Sequence, residues 1–345
     1  MDNQPSIAIV ILNWNGINLL KEFLPSVLQH SQYPNTTIYV ADNASTDDSI
    51  NYLTSTYKDR VSIIRNTGNY GYAKGYNEAL KDLSEDYFIL LNSDVEVTAN
   101  WLAPMIQMMT ADATIAACQP KLLQYTNKEF FEYAGACGGF VDKHGYPFCR
   151  GRIFDSFEKD EHQYDNEMDI FWASGACLVI RSKLFFEAKG FEEDFFAHME
   201  EIDLCWRLKQ MGYIIKVCPS STVYHLGGGT LQKMNPRKTY LNFRNNRLMV
   251  TKNIASNRFL VNFIFRDIMD IIAIFQALAY GKFKESYAIL KAFVDFHLML
   301  PKWLKKRKTL KAKLSPQQLS KTYLYPKSIV FQYFVKHIKH YKDLK

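Results

Sequence analysis

Four short apolar runs punctuate the first 95 residues, and each stops abruptly on a polar side chain. Ser6-Ile-Ala-Ile-Val-Ile-Leu12 ends at Asn13-Trp14-Asn15-Gly16. Thr37 to Ala41 ends at Asp42-Asn43, Val61 to Ile64 at Arg65-Asn66, and Phe88 to Leu91 at Asn92-Ser93-Asp94. An unbroken apolar run of this length marks a strand covered on both faces. Between the runs the apolar spacing becomes helical: Leu19, Leu20, Phe23, Leu24, Val27 and Leu28 after the first, Tyr76 to Leu83 before the fourth. Ser45 or Thr46 is placed to cap a helix after the second run, with acidic residues in its first turn. This alternation predicts a parallel sheet with helices on both faces. The polar stops then line one edge, where open α/β sheets bind ligands, as a crevice suited to a nucleotide.

Further on, a helix is predicted over Trp101 to Met109 and a strand over Thr114 to Cys118. Gly135 to Gln163 reads as a long loop or β-excursion. Phe171-Trp172-Ala173-Ser174-Gly175 leads into an apolar strand, Ala176 to Ile180. Phe191 to Gly212 contains a helix with Leu204, Leu208 and Met211 on its inner face, stopped at Gly212. From Arg258 the pattern is helical and very apolar. Arg258, Asn262, Arg266 and Asp270 recur every fourth residue, so they make one polar stripe on an otherwise apolar cylinder. The charge-free run from Ile271 to Gly281 is far short of the about 20 residues a spanning helix needs, so this segment reads as interfacial or packed. Ile7 to Leu12, with no basic region before it, reads as a first strand and not as a signal-peptide core.

The length suits one large α/β domain, 1–250, followed by a helical appendage, 251–345. Charge separates the two. Residues 257–345 hold 18 Lys and Arg against five Asp and Glu, a net of +13; the chain as a whole is +7, so the rest carries −6. The basic residues concentrate around Trp303, at Lys302, Lys305, Lys306, Arg307, Lys308, Lys311 and Lys313. Such a cluster beside an apolar helix fits an anionic membrane surface. Nucleic acid is a competing partner, and a solvated basic helix is the plain alternative. None of the six cysteines forms a C-x-x-C pair, which disfavours zinc-ribbon and thioredoxin-like readings; buried, reduced thiols in a reducing compartment are expected.

Three places carry candidate chemistry. Asp94 stands just past a strand end, where a hard divalent cation bridging phosphates would want an oxygen ligand; a polar turn is the plain reading. Glu200, Glu201 and Asp203 crowd the start of a helix. Helix capping explains one or two acids, and a general base near an apolar wall explains the others. His225 follows a strand and precedes Gly227-Gly228-Gly229. It could complete a metal site begun by Asp94, with the glycines as a loop that closes on a ligand. Arg244 and Arg247 are candidates for phosphate or for a surface helix. No G-x-G-x-x-G follows the first strand and no G-x-x-x-x-G-K-[ST] is present, which disfavours dinucleotide and P-loop sites.

Taken in order, these segments resemble the family 2 glycosyltransferases, inverting enzymes of the GT-A fold, and among them bacterial rhamnosyltransferase-like enzymes of polysaccharide synthesis. The matching residues are Ile9 to Gly16, Val40 to Asp47, Asn66 to Ala73, Leu91-Asn-Ser-Asp94, Ser174-Gly175-Ala176, Glu200-Glu201-Ile-Asp203-Leu and His225. The resemblance covers about residues 6–250. It implies a mixed α/β sheet flanked by helices, and a nucleoside-diphosphate sugar as donor. Asn13, Asn15, Asp42, Asn43, Asn69, Asn92 and Ser93 would hold that donor, with Asp42 on the nucleotide base. Asp94 and His225 would hold Mg or Mn. Glu201 would be the base, and Trp172, Gly175 and Glu200 would meet the acceptor. It further implies a lipid-linked or oligosaccharide acceptor, no nucleic-acid partner, and a cytoplasmic place on the inner face of the plasma membrane. A nucleotidyltransferase, or a non-catalytic glycan- or nucleic-acid-binding protein on the same fold, is the alternative.

Overall fold

The computed structural model describes residues 4–227, 235–320 and 323–344. Thirteen strands fall among these residues. They are β1 (Ile7–Asn13), β2 (Thr36–Asp42), β3 (Ser62–Arg65), β4 (Tyr87–Asn92), β5 (Val95–Val97), β6 (Ile115–Gln124), β7 (Gly139–Val141), β8 (Pro147–Cys149), β9 (Arg152–Ile153), β10 (Ser156–Phe157), β11 (Met168–Ile170), β12 (Cys177–Arg181) and β13 (Ile214–His225). The helices are α1 (Ile17–His30), α2 (Ser49–Thr56), α3 (Gly71–Leu80), α4 (Leu102–Ala111), α5 (Ser182–Glu187), α6 (Glu200–Gln210), α7 (Pro236–Asn253), α8 (Phe259–Ala279), α9 (Phe283–Lys311), α10 (Pro316–Ser320) and α11 (Ile329–Phe334).

The main sheet runs β11-β13-β6-β12-β4-β1-β2-β3, with β5 added on β13. The half from β4 to β3 is wholly parallel, while β12 runs antiparallel between β4 and β6. Both faces of the parallel half are covered, which is why its strands are continuously apolar. Ile7, Ile9 and Ile11 pack in one core with Leu20, Leu24 and Val27 of α1 and Met105 of α4. Ala8 and Val10 face the other way, into a core with Ala73 and Tyr76 of α3 and Phe185 of α5. β7 to β10 form a separate small antiparallel sheet, the β-excursion expected over 135–163.

Two expectations shift. α3 begins at Gly71, not Tyr76: φ is +71° there, and a Cβ would press on Phe196 at 2.6 Å, so only glycine lets the helix start at this point. Neither Ser45 nor Thr46 caps α2, whose N-cap position is Asp48. Ser45 turns its hydroxyl to the end of β1 instead. The division expected at 250/251 falls inside α7, which ends at Asn253. All six cysteines are buried and unbridged.

The C-terminal helices are fastened to the sheet domain by charge. α8 turns its polar stripe inward: Asn262, Arg266 and Asp270 are buried. Arg247 of α7 donates to Asp270 at 2.7 Å and also to Asp267. Asn262 donates to Lys143 O at 3.1 Å, and the Arg266 guanidinium lies 3.9 Å over the Tyr146 ring. Three of the seven basic residues of the cluster, Lys302, Lys306 and Arg307, are likewise engaged by the rest of the protein, against the expectation of a wholly outward-facing patch. Trp303 is buried and stacked on Phe195, Arg307 donates to Thr251 O and Ile254 O at 2.8 and 2.6 Å, and Lys302 and Lys306 pair with Asp194. Neither arginine singled out for phosphate is free for it. Arg247 is committed to α8, and Arg244 donates to Asp194 O and Phe195 O at 3.0 and 3.3 Å. Removing one partner of a buried ion pair strands the other, at about 3–5 kcal/mol. Arg247→Ala is therefore expected to lower stability by that order in a denaturant titration. A loss under about 1 kcal/mol, the ceiling for an exposed pair, would show that the Asp270 contact is effectively solvated.

Candidate active site

The strand ends form one hydrogen-bonded edge. β1 and β2 stop side by side, with Asn13 opposite Asp42 and Leu12 opposite Asn92 of β4. Asn13 Nδ2 donates to Asp42 Oδ1 at 3.0 Å and to Ser45 Oγ at 3.2 Å, while Ser45 N donates to Asp42 Oδ2 at 2.9 Å. Asn15 stands in the left-handed region at φ +49° and accepts from Thr46 N at 2.7 Å, which ties the β1 and β2 loops together. Asn43 accepts from Asn66 Nδ2 at 2.7 Å and donates to Gly71 O at 2.9 Å, and Asn69 Oδ1 accepts from Gly71 N at 3.1 Å. Asn43 and Asn69 thus build the loop that opens α3. Asn13 Oδ1 is buried and has no partner among the described residues. An unmet buried acceptor costs about 1–3 kcal/mol, so it awaits a donor.

One residue pair beyond β4, Asp94 meets His225 from the end of β13: His225 Nε2 lies 3.1 Å from Asp94 Oδ1. Asn92 Nδ2 stands 3.4 Å from the same nitrogen. The other ring nitrogen, Nδ1, lies 3.1 Å from Glu132 Oε1, off the line of an ideal hydrogen bond, so this contact is mainly electrostatic. All three side chains are buried. Burial alone would pull the imidazole pKa down, but the carboxylates of Glu132 and Asp94 outweigh it and hold it at about 10. A proton thus occupies the position where a cation would be attractive. Among the described residues no group of three or more His, Cys, Asp or Glu could hold a metal ion alone. The Asp94–His225 pair fits an ion shared with phosphate oxygens, where one or two protein ligands suffice. Glu132 fits the outer carboxylate that orients a ligating imidazole. Gly228 and Gly229, read as part of a closing loop, lie outside the described residues.

The three acids at the start of α6 separate by environment. Asp203 is fully buried and saturated: Arg207 at 2.9 Å, Lys252 at 2.8 Å and Asn253 at 2.8 Å hold it, and despite burial these cations keep its carboxyl below the usual range. It is a structural anchor between α6 and α7. Glu200 and Glu201 have no cation, and one buried oxygen of each has no partner among the described residues. Burial pushes Glu201 up to about 7. Burial, and then the charge of Glu201, raise the Glu200 carboxyl well above the usual carboxylate range as well. The backbone leading to them is strained. Phe196, His198 and Met199 have φ of +65°, +71° and +77°, and Asn245 Nδ2 of α7 clamps this turn by donating to Phe195 O, Ala197 O and His198 O, each at 2.9 Å. Strain of this kind persists only where the surroundings impose it, and it gathers at functional sites.

Gly175 joins the acids to the strand edge. A Cβ there would sit 3.8 Å from Glu201 Cβ and 2.8 Å from Tyr72 Oη, and the Tyr72 hydroxyl donates to Gly175 O at 2.6 Å. The next residue, Ala176, accepts from Asn92 N at 3.0 Å. Strand register and these contacts thus link Asn13, Asp42 and Asn92 to Gly175 and Glu201, and Asn92 to His225 and Asp94; Glu200 is the chain neighbour of Glu201, and Ser93 lies in the turn between Asn92 and Asp94. Trp172 is not brought in: it is buried, its ring lies on Gly139 and its indole donates to Phe140 O at 3.0 Å, so it fastens the small sheet to the large one. Two participants went unnoticed in the sequence. Tyr72 lies inside the Asn66 to Ala73 segment, where only its neighbours looked chemical. Glu132 sits in a stretch without periodicity and is delivered by a bend after β6, so no local signal marks it.

The fold matches that of solved glycosyltransferases. GalNAc-T7, in a complex with UDP, GalNAc and Mn2+, superposes with a TM-score of 0.57 at 18% identity, over 73% of this chain and 48% of that one. The mannosyltransferase PcManGT from Pyrobaculum calidifontis, in complex with GDP-Man and Mn2+, superposes with a TM-score of 0.51 at 16% identity, over 90% of this chain and 86% of that one. The fold is GT-A, a mixed sheet flanked by helices, with a helical C-terminal region. Residues 8–168 match the model of glycosyl transferase family 2. An N-acetylglucosaminyl-diphospho-decaprenol L-rhamnosyltransferase of Mycobacterium tuberculosis is 26% identical over 247 residues, 64% of this chain and 75% of that protein. Rhamnosyltransferase WbbL of Escherichia coli is 22% identical over 201 residues, 55% of this chain and 74% of that protein. The chain spans only a quarter of another relative, an uncharacterized protein of Sinorhizobium fredii that is 26% identical over 241 residues.

Proposed function

We propose that this chain is an inverting glycosyltransferase that moves a sugar, a rhamnosyl group in the first instance, from a nucleoside diphosphate to a hydroxyl of a lipid-linked glycan during polysaccharide synthesis. The observation that carries the reading is the placement of Glu201, a buried carboxylate with no cation beside it among the described residues, across Gly175 from the polar strand edge that ends in Asn92 and Asp94. The edge supplies Asp42 and Asn13 to the nucleoside, with the unmet Asn13 Oδ1 as an acceptor. Asp94 and His225 would hold a divalent cation against the diphosphate. Such an ion, when bound, neutralises charge on the departing phosphate. Glu201, poised at about 7, takes the proton of the acceptor hydroxyl as it attacks the anomeric carbon from the face opposite the leaving group, which inverts the centre. Glu200, beside it at the start of α6, would meet the acceptor. The acceptor's lipid anchor would place the enzyme at the cytoplasmic face of the plasma membrane.

The test is a transfer assay across nucleoside-diphosphate sugars with Mg2+ or Mn2+, using an N-acetylglucosaminyl diphosphate lipid as acceptor and NMR to read the product anomer. Inverted product from at least one donor is expected. Retained configuration would remove Glu201 from the role of base, and no turnover with any donor would overturn the enzyme reading. The rate should rise with pH and level off above about 7, because the base must be ionised and burial has raised its pKa.

A further inference from the structure

α8 is the reverse of a water-facing helix. Its ionisable residues, Arg266, Asp267 and Asp270, and its Asn262 all engage the protein. The opposite face, following i+3 and i+4 spacing, carries Leu260, Ile264, Ile268, Ile272 and Phe275, all exposed; Leu260 and Phe275 are 66% and 65% accessible. A second exposed stripe, Tyr287, Leu290, Val294 and Leu298, runs along α9, with Leu298 at 74%. A solvated helix turns its charges outward, and a continuous exposed apolar face marks an interaction surface. Its surroundings indicate what covers it. Lys282 and Lys284 at the tip of the α8–α9 hairpin, and Lys305 and Lys308 farther along α9, are exposed and form no ion pair among the described residues. Tyr280 and Phe283 stand exposed at the same tip, as aromatic side chains do at the boundary between lipid and water. Among the described residues no helix is long and apolar enough to cross a membrane.

We infer that the α8–α9 hairpin is a lipid-binding surface: the outer face of α8 sinks among the acyl chains of an anionic leaflet, and the four free lysines meet the headgroups. The helix lies in the plane of the interface, as an amphipathic segment of high apolar content does. The inference rests on the proposed function only in that a lipid-linked acceptor would be met there.

Flotation of the full chain with vesicles of phosphatidylglycerol and phosphatidylcholine tests it. The chain should float with anionic vesicles at low salt and weakly with pure phosphatidylcholine. Ile264→Glu with Ile268→Glu should cut partitioning at least tenfold at any salt, while Lys282, Lys284, Lys305 and Lys308→Gln should cut it only at low salt, where headgroup attraction is unscreened. The milder Ile264→Ser with Ile268→Ser, judged beside its melting curve, guards against a folding defect. Unchanged flotation in the Glu and Ser variants overturns the inference. So does a wild-type chain that ignores vesicles yet forms a dimer in light scattering that the Glu pair dissociates, since the face would then be covered by a second copy. Donor hydrolysis in detergent-free buffer is read in parallel. A chain that floats without turning over donor defeats the enzyme reading alone, and one that turns over donor without floating defeats this one alone.

Discussion

Glu201→Gln should lower turnover by about a hundredfold or more, with donor affinity close to wild type, because the change keeps size and removes basicity. The structure narrows the choice of acid. Asp203 cannot serve, since Arg207, Lys252 and Asn253 consume its oxygens. Burial, and then the charge of Glu201, raise the carboxyl of Glu200 above the usual range. Asp203→Asn should therefore act on stability, by leaving Lys252 and Arg207 short of a partner, and Glu200→Gln should act mainly on acceptor KM. The pH profile separates the roles. Wild type loses tenfold per pH unit well below about 7, and that limb should vanish in Glu201→Gln, whose residual rate depends on no ionised Glu201. If Glu200→Gln is the variant that loses both rate and limb, the base has been assigned to the wrong acid.

Asp94→Ala should abolish metal-dependent transfer while the fold persists, because β4 and β13 are held by their ladders and by the core. Calorimetry with Mn2+ and a nucleoside diphosphate should show the ion's affinity falling with the activity. Glu132→Gln should be the graded companion, with about a 10–100-fold loss of metal affinity from an imidazole no longer oriented by charge. A readout free of metal is available as well. His225 is held at about 10 by Glu132 and Asp94, so either substitution should pull its pKa down toward the ordinary histidine range in an NMR titration. Near-normal transfer by Asp94→Ala would sink the metal assignment, and an unmoved His225 titration would show that the pairing is absent in solution.

The parallel half of the sheet was legible because burial on both faces forces an unbroken apolar run, and because each run must end in something polar at the ligand edge. The same constraint puts Asn13, Asp42, Asn92 and Asp94 on one rim. The acid cluster was legible as a cluster. That Asp203 is paired and its two neighbours are not was hidden, since its partners Lys252 and Asn253 lie about 50 residues away on α7. Trp172 and Arg247 show the same limit from the other side. Aromatic and guanidinium groups look functional in a string, and only their partners, Phe140 O in one case and Asp267 and Asp270 in the other, show that they fasten elements together.

The tail shows where local pattern stops informing. Periodicity alone determined that α8 has one polar stripe and one apolar face, because a helix of 3.6 residues per turn sorts side chains by spacing. It carried no information on which face would look outward, since that is set by what stands opposite. Arg247 on α7 and the backbone of Lys143 and His144 present partners to the stripe, and a charge or amide paired in the interior is held more strongly than one in water. The chain order thus established the strands, their polar ends and the amphipathic helices. Long-range pairing set Asp203 apart from Glu200 and Glu201, delivered Glu132 to His225 and turned the apolar face of α8 away from the protein, because burial and charge complementarity are properties of neighbours in space.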